Sequence, residues 1–277
     1  MLQWNLETNN VGVEPESDPK EKYMKLKDIK KTTTGMFVKK HMVEGQYSYR
    51  FINDVPVTKI AYAVNPSHDV INEAVKAGAQ LLITHHQLWD PAYGGQKYYD
   101  EIIKLLDKTK LNHAHFHMPL DLQPDFGMNI TLAKEMGLKN IKIGINTVAW
   151  LKESELPDGT IGETDLSLEE LRVKMEKAIG GKVVAYQNRE GNPKKIGVIG
   201  GGASASIFME GAIKEGCDTY VTGDYNMYLQ LNAKFLGCNL LIGSHTKTEI
   251  LGTREFMKKL QEKLGNIEIF ECFECDW

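Results

Sequence analysis

The chain has 277 residues, 42% hydrophobic and 25% charged, with a formal net charge of −4. That length permits one large or two small domains with a real core, and the composition is that of a globular protein. The charge gives no global pull toward nucleic acid or anionic membrane, no apolar stretch approaches the ~20 residues of a membrane span, and four cysteines (Cys217, Cys238, Cys272, Cys275) are too few for a disulfide scaffold.

The N-terminus lacks the basic-then-apolar layout of a secretory signal, so a reducing cytoplasm is the expected compartment. Residues 1 to about 20 are polar, contain Pro15 and Pro19, and read as a loose lead-in. Residues 20 to 41 carry eight lysines against Glu21 and Asp28. Residues 1–45 thus form a lysine-rich extension. Such an arm could touch phosphate backbones. Its lack of arginine and its sparse aromatics favour a solvated helix face, with a neighbouring subunit as a packing partner.

The expected first lobe spans 46–150. Strands are predicted at Val57–Val64, Gln80–Thr84 and Leu111–Phe116. They alternate with helices at His68–Ala77, Tyr98–Leu106 and Met128–Met136, the first and last stopped by Gly78 and Gly137. Residues 151–190 read as a connecting segment, with a helix at Ser167–Ile179 and a strand at Lys182–Gln187. The second lobe, 191–277, repeats the order. Strands fall at Lys195–Ile199, Thr219–Thr222, Asn239–Ile242 and Ile267–Phe270, and helices at Ser206–Glu215, Asn226–Leu236 and Lys247–Lys263. The stretch Glu73–Thr84 parallels Gly211–Thr222. On that register His86 falls opposite Asp224, and His117 and Asp121 fall opposite His245 and Glu249. The expected fold class is α/β: two similar lobes related by an internal repeat, with a dinuclear metal site between them, fed by strand carboxyl ends.

His85, His86, His117, Asp121, His245 and Glu249 supply the chemistry. Imidazole and carboxylate both offer lone pairs at neutral pH, and six such groups exceed the need of one tetrahedral ion, so two divalent ions are expected. Zinc, iron, manganese and nickel all suit the set. Pro119 argues for an extended path from His117 to Asp121, whereas His245 and Glu249 suit a helix start. His113 and His115 lie deeper on the strand of His117 and read as satisfied core residues. Asp224 either orients a ligand histidine or caps a helix. Gly200, Gly201 and Gly202, between strand and helix, either cradle a phosphate or allow close packing. Cys272 and Cys275 have the spacing of half a zinc site but lack a second pair, and read as a chain-end accident or a weak redox pair.

Together Thr84-His85-His86, His117-Met-Pro-Leu-Asp121, Gly243-Ser-His245-Thr-Lys-Thr-Glu249, Val198-Ile-Gly200-Gly-Gly-Ala and Val221-Thr-Gly223-Asp224 resemble the motifs of the NIF-three-like family of dinuclear-metal proteins, often labelled type-two GTP cyclohydrolase I homologues. The resemblance runs from about Lys59 to the C-terminus. It implies two α/β lobes around a two-metal site, metal roles for the six residues above, and a ring-shaped homohexamer. Gln87 stands where the family usually has proline, and Asn226, Met227 and Tyr228 stand where it usually has histidines. The expected function is a metal-dependent hydrolase acting on a nucleotide-like substrate. The alternatives are a metal-stabilised oligomeric scaffold that binds nucleic acid or a regulatory partner through the lysine arm, and a metal-free protein whose histidines are structural.

Overall fold

The computed structural model describes residues 23–88, 95–145 and 159–275. The lead-in and the start of the expected connecting segment lie outside these residues. The chain forms two sheets on one plan. The first contains β1 (Tyr47–Arg50), β2 (Lys59–Ala63), β3 (Leu81–Thr84), β4 (Asn112–Phe116) and β11 (Glu268–Glu271), in the order β1-β4-β3-β2-β11. The second contains β5 (Lys139–Ile145), β6 (Gly159–Glu163), β7 (Val184–Tyr186), β8 (Lys195–Val198), β9 (Thr219–Thr222) and β10 (Asn239–Ile242), in the order β5-β6-β8-β9-β10-β7. Each contains three parallel strands (β2, β3, β4 and β8, β9, β10) with an antiparallel strand on one side, β1 beside β4 and β7 beside β10; on the other side β11 joins β2 in parallel and β6 joins β8 antiparallel. Every residue of β3, β9 and β10 is buried, as expected for parallel strands covered on both faces.

The helices complete the repeat. α1 (Leu26–Met36) precedes β1, as α6 (Leu168–Ile179) precedes β7. α2 (His68–Lys76) and α3 (Gln96–Thr109) connect the first lobe's parallel strands, as α7 (Ser206–Lys214) and α8 (Met227–Leu236) connect the second's. Their ends carry ordinary signals. Ser67 caps α2, Ser167 and Glu170 form a capping box on α6, and Gly180 and Gly237 take left-handed conformations after α6 and α8. The two-lobed α/β arrangement read from the sequence is therefore present, but its unit starts earlier than the sequence register indicated.

Matched polar groups hold matched loops. Asn112, at the start of β4, is fully buried. Its Oδ1 accepts the N–H groups of Ile52 and Asn53 at 2.8 and 3.0 Å. Asn239, at the start of β10, accepts from Asn188 and Arg189 at 2.9 and 3.3 Å. Gln80 Oε1 accepts from Thr58 and Lys59, and Asp218 Oδ2 from Lys194 and Lys195, at the entries to β2 and β8. These contacts pair turn N–H groups that no neighbouring strand reaches and so fix the loops leading into the sheets.

The lobes exchange helices. α5 (Met128–Glu135) follows β4, but its Leu132 and Ala133 pack with Leu171, Met175, Val198 and Leu241 of the second lobe. α9 (His245–Leu264) follows β10, but its Phe256, Met257 and Leu260 pack with Ile60, Leu81 and Phe116 of the first. The next strands follow suit: β5 joins the second sheet and β11 the first. The helices cross at Gly252, where a Cβ would lie 2.6–2.7 Å from Met128 Sδ, Cα and N.

Three expectations change. The lysine-rich segment is, over residues 23–45, part of the first lobe: Leu26, Ile29, Met36 and Phe37 enter its core, and the lysines of α1 face outward. Residues 159–190, expected to connect the lobes, supply β6, α6 and β7 of the second lobe. Lys139–Ile145 is a strand that was not anticipated, although Ile141, Ile143 and Ile145 alternate with Lys142 and Gly144. Among the described residues no helix is long and apolar enough to cross a membrane.

Gly252→Ala should lower stability by about 1–3 kcal/mol through overpacking, although alanine favours an isolated helix by ~1 kcal/mol. Urea unfolding reads this directly, and an unchanged or raised midpoint would show that the crossing tolerates a methyl group.

Candidate metal centre

The swap brings strand ends of both lobes to one place. His85 and His86 leave β3, and His117 leaves β4. His245 opens α9, whose cap Ser244 accepts the Lys247 N–H, and Glu249 follows one turn later on the same face. The path from His117 to Asp121 is not extended. Met118–Asp121 forms a single helical turn, α4, with Pro119 in its first positions, where the missing N–H is not needed. The amides of Leu120 and Asp121 both reach the His117 carbonyl.

Glu249, only 4% exposed, sits at the middle. Its Oε1 lies 3.5 Å from His85 Nε2 and 3.3 Å from His245 Nε2, and its Oε2 lies 3.4 Å from His86 Nε2. His85 Nε2 is also 3.6 Å from Asp121 Oδ1. The His117 ring stacks on His85 with centroids 4.8 Å apart, and His86 meets His245 edge-on at 5.2 Å. Two groups bring candidate ligand atoms within 4.8 Å of one another: His85, His86 and His117, and His86, His245 and Glu249. Asp121 flanks the first group. All six residues singled out in the sequence thus converge.

The outward nitrogens decide what the inward ones offer. His85 Nδ1 donates to the Phe116 carbonyl at 3.1 Å, His86 Nδ1 to Asn65 Oδ1 at 2.7 Å, and His117 Nδ1 to Gln46 Oε1 at 2.9 Å. His245 Nδ1 donates to the Asp224 carboxylate at 3.2 Å. With the proton held on Nδ1, each Nε2 presents a lone pair to the centre. Asp224 therefore supports His245, and the cap of α8 is Asn226.

Charge in this cluster is strongly coupled. Burial opposes a charge on His85, yet Asp121 and Glu249 raise its pKa above the ordinary imidazole range. Burial likewise opposes charge on His245, but the neighbouring Asp224 and Glu249 carboxylates lift it to about 10. His86 is pushed down to about 3 by burial, which outweighs Glu249. Burial raises the Asp121 carboxyl; for Glu249 the neighbouring imidazoles overcome burial and hold it well below its usual range. The carboxylates thus demand positive charge at the centre. Moreover, His85 Nε2, His245 Nε2 and Glu249 Oε2 are buried without a hydrogen-bond partner. An orphaned buried polar atom costs about 1–3 kcal/mol unless a ligand meets it. A divalent cation bound by nitrogen and oxygen fits both features.

The glycine cluster shapes this centre. Gly201 (φ +63°) leaves room for Glu249, since a Cβ there would overlap the carboxylate, and a Cβ on Gly202 would lie 3.0 Å from His245 Cε1. The Gly200 N–H donates to Asn129 Oδ1 at 2.8 Å and the Gly201 N–H to Thr248 Oγ1 at 2.9 Å. These two amides are thus engaged within the protein rather than free to cradle a phosphate. Gly223 permits another close approach, with a Cβ position 2.8 Å from His245 Cα. His113 and His115 lie outside the metal groups, bonded to Thr84 Oγ1 and Ser48 Oγ. Cys272 is buried and Cys275 exposed, both as free thiols. Sequence reasoning missed Gln46, Asn65, Asn129, Thr248 and Glu274. Asn65 had a usable signal, standing directly after an apolar strand end.

Fold and centre define a two-lobed α/β protein with a histidine–carboxylate cluster between its lobes. The chain belongs to the Duf34/NIF3 (NGG1p interacting factor 3) family, whose profile matches residues 52–275. It is 31% identical over 222 residues to a Pyrococcus horikoshii protein named GTP cyclohydrolase 1 type 2 homolog, covering 77% of this chain and 84% of that one. A Haemophilus influenzae protein of the same name is 27% identical over 218 residues, covering 76% and 82%. Among solved structures, reduced HcgD from Methanocaldococcus jannaschii superposes with a TM-score of 0.76 at 25% identity, covering 90% of this chain and 98% of that one. A Bacillus cereus protein related to NIF3 gives 0.75 at 18% identity, covering 91% and 98%, a likeness of fold.

Gly201→Ala should displace the Glu249 carboxylate, with added backbone strain of ~1–2 kcal/mol at a positive φ. The expected result is a folded protein that no longer takes up zinc in competition with a chromophoric chelator. Wild-type uptake would mean that Glu249 has another route to the same position.

Proposed function

We propose that the chain holds two divalent ions between its lobes and acts as a metal-dependent hydrolase on a nucleotide-like substrate. The observation that carries this reading is the convergence of four imidazoles, each with Nδ1 tied outward, around the buried Glu249. His85, His86, His117 and Asp121 would hold one side of the pair, and His245 and Glu249 the other, with the single Nε2 lone pair of His86 within reach of either set. Zinc, iron, manganese and nickel suit these donors, none of which is a thiolate. When bound, such ions supply Lewis acidity and a water activated at neutral pH.

The protein's own groups set direction and access. His85 is fully buried, whereas His245 and Asp224 keep 35% and 40% of their side chains exposed. Substrate would therefore approach along the His245–Asp224 rim. Asp224, by holding Nδ1 of His245, keeps that ring aimed inward while remaining accessible itself. The nucleotide part of the reading comes from the name shared by the relatives, GTP cyclohydrolase 1 type 2 homolog. Such chemistry begins with water adding to an electrophilic ring carbon, a step that an activated water serves.

The test is metal content by plasma mass spectrometry on wild type and on the double variant His85→Ala/Glu249→Ala, followed by GTP consumption by the loaded protein. About two ions per chain in wild type, lost in the variant, with GTP consumption abolished by His245→Ala, is the expected result. Absence of metal after anaerobic reconstitution would refute the dinuclear reading. Consumption of GTP that persists in His245→Ala would refute the catalytic one.

A further inference from the structure

The C-terminal tail reaches the groups that support the metal centre. Glu274 lies three residues beyond β11, half-buried against the loop that leaves β2. Its Oε2 accepts the Val64 N–H at 2.6 Å, and its Oε1 accepts the Asn65 N–H at 3.0 Å and Asn65 Nδ2 at 2.8 Å. Asn65 Nδ2 also reaches Thr246 Oγ1, in the first turn of α9, at 3.2 Å. With its NH2 group facing two acceptors, the Asn65 amide turns its oxygen toward His86 Nδ1.

The amides, Asn65 behind His86 and Gln46 behind His117, differ here from the other two supports. The Phe116 carbonyl behind His85 and the Asp224 carboxylate behind His245 accept in any orientation. The Asn65 amide can flip by half a turn. Flipped, it would donate to His86 Nδ1, move the ring proton to Nε2, and aim an N–H where a cation needs a lone pair. Glu274 opposes that flip, because its carboxylate is a pure acceptor facing the Asn65 amide nitrogen.

We propose that Glu274 is a positioning residue for His86 acting through Asn65, so that the C-terminal tail sets the tautomer and aim of one ligand and thereby the affinity of the centre for its cation. The affinity step rests on the metal-binding reading above; the tautomer step needs no metal. The tail's other carboxylate provides a control. Glu271 binds Arg254 at 2.6 and 2.7 Å and the Tyr62 hydroxyl at 3.0 Å, and none of these is a candidate ligand.

The experiment uses the full chain with histidine labelled in nitrogen-15. Long-range nitrogen–proton correlation of the metal-free protein reads the His86 tautomer, assigned with His86→Gln. Zinc affinity is measured by competition with a chromophoric chelator. The variants are Glu274→Gln, which keeps the side-chain volume, Glu274→Ala, Asn65→Ala, the double variant Asn65→Ala/Glu274→Ala, and Glu271→Gln. In wild type His86 should carry its proton on Nδ1. Both Glu274 variants should mix the tautomers and weaken zinc binding by about 10- to 100-fold. The double variant should bind no more weakly than Asn65→Ala alone, and Glu271→Gln should change neither readout. Folded Glu274 variants with wild-type tautomer and affinity would overturn the proposal, as would additive losses in the double variant. A shifted tautomer in a protein whose wild type takes up no zinc would support the relay and refute the metal reading.

Discussion

A carboxylate buried at 4% exposure, Glu249, organises the middle of this molecule. An isolated carboxylate in such a place would take up a proton rather than bear the cost of desolvation. Glu249 instead stays acidic because His86, His85 and His245 surround it. Those imidazoles come from two strand ends, one in each lobe, so the charge is compensated only when both lobes are folded and correctly placed. Its room comes from Gly201, and its depth from the exchange of α5 and α9.

That exchange explains how two repeats form one site. Side-by-side packing would leave each set of strand ends facing its own solvent. Passing α9 into the first lobe's core and α5 into the second's ties each lobe's stability to the other's apolar residues. Phe256 and Leu260 cannot stay buried if the first lobe separates, nor can Leu132 if the second does. The centre is therefore carried on helices and strand ends held by core packing rather than on free loops, which suits a cluster that needs fixed ligand directions. Gly252 is the local condition for the crossing, and no residue with a side chain fits without moving Met128.

Much of this was legible in the sequence because it follows from period and spacing. Short buried strands such as Leu81–Thr84 and Asn239–Ile242 announce themselves as apolar runs, and the aligned stretches ending in Thr84 and Thr222 reveal the repeat. The six candidate ligands stand at the ends of such runs. Pro119 misled because a proline at the start of a helical turn and a proline in an extended segment look alike without the backbone. The lysine-rich segment misled because charge count concealed an apolar face of Leu26, Ile29 and Met36. Glu274 had no local signal. Its role depends on β11 pairing with β2, more than 200 positions away in the chain, which delivers the tail to Val64 and Asn65.

The repeat is symmetric in fold but not in chemistry, and the difference has a direction. His117 and Asp121 correspond to His245 and Glu249, yet Asp121 lies to one side while Glu249 occupies the centre. His86 corresponds to Asp224, so where the first lobe places an imidazole in the cluster, the second places a carboxylate behind one. The first lobe consequently contributes three imidazoles and a flanking acid, including the fully buried His85. The second contributes the central acid and the more exposed His245 with its supporting Asp224. A perfectly symmetric pair of lobes would have two equivalent sides. Here one register position differs in residue type, and each lobe pairs one buried group, His85 or Glu249, with partly exposed ones. That asymmetry follows from the side chains themselves and leaves His245 and Asp224, at 35% and 40% exposed, more open than His86 and Asp121, at 23% and 24%.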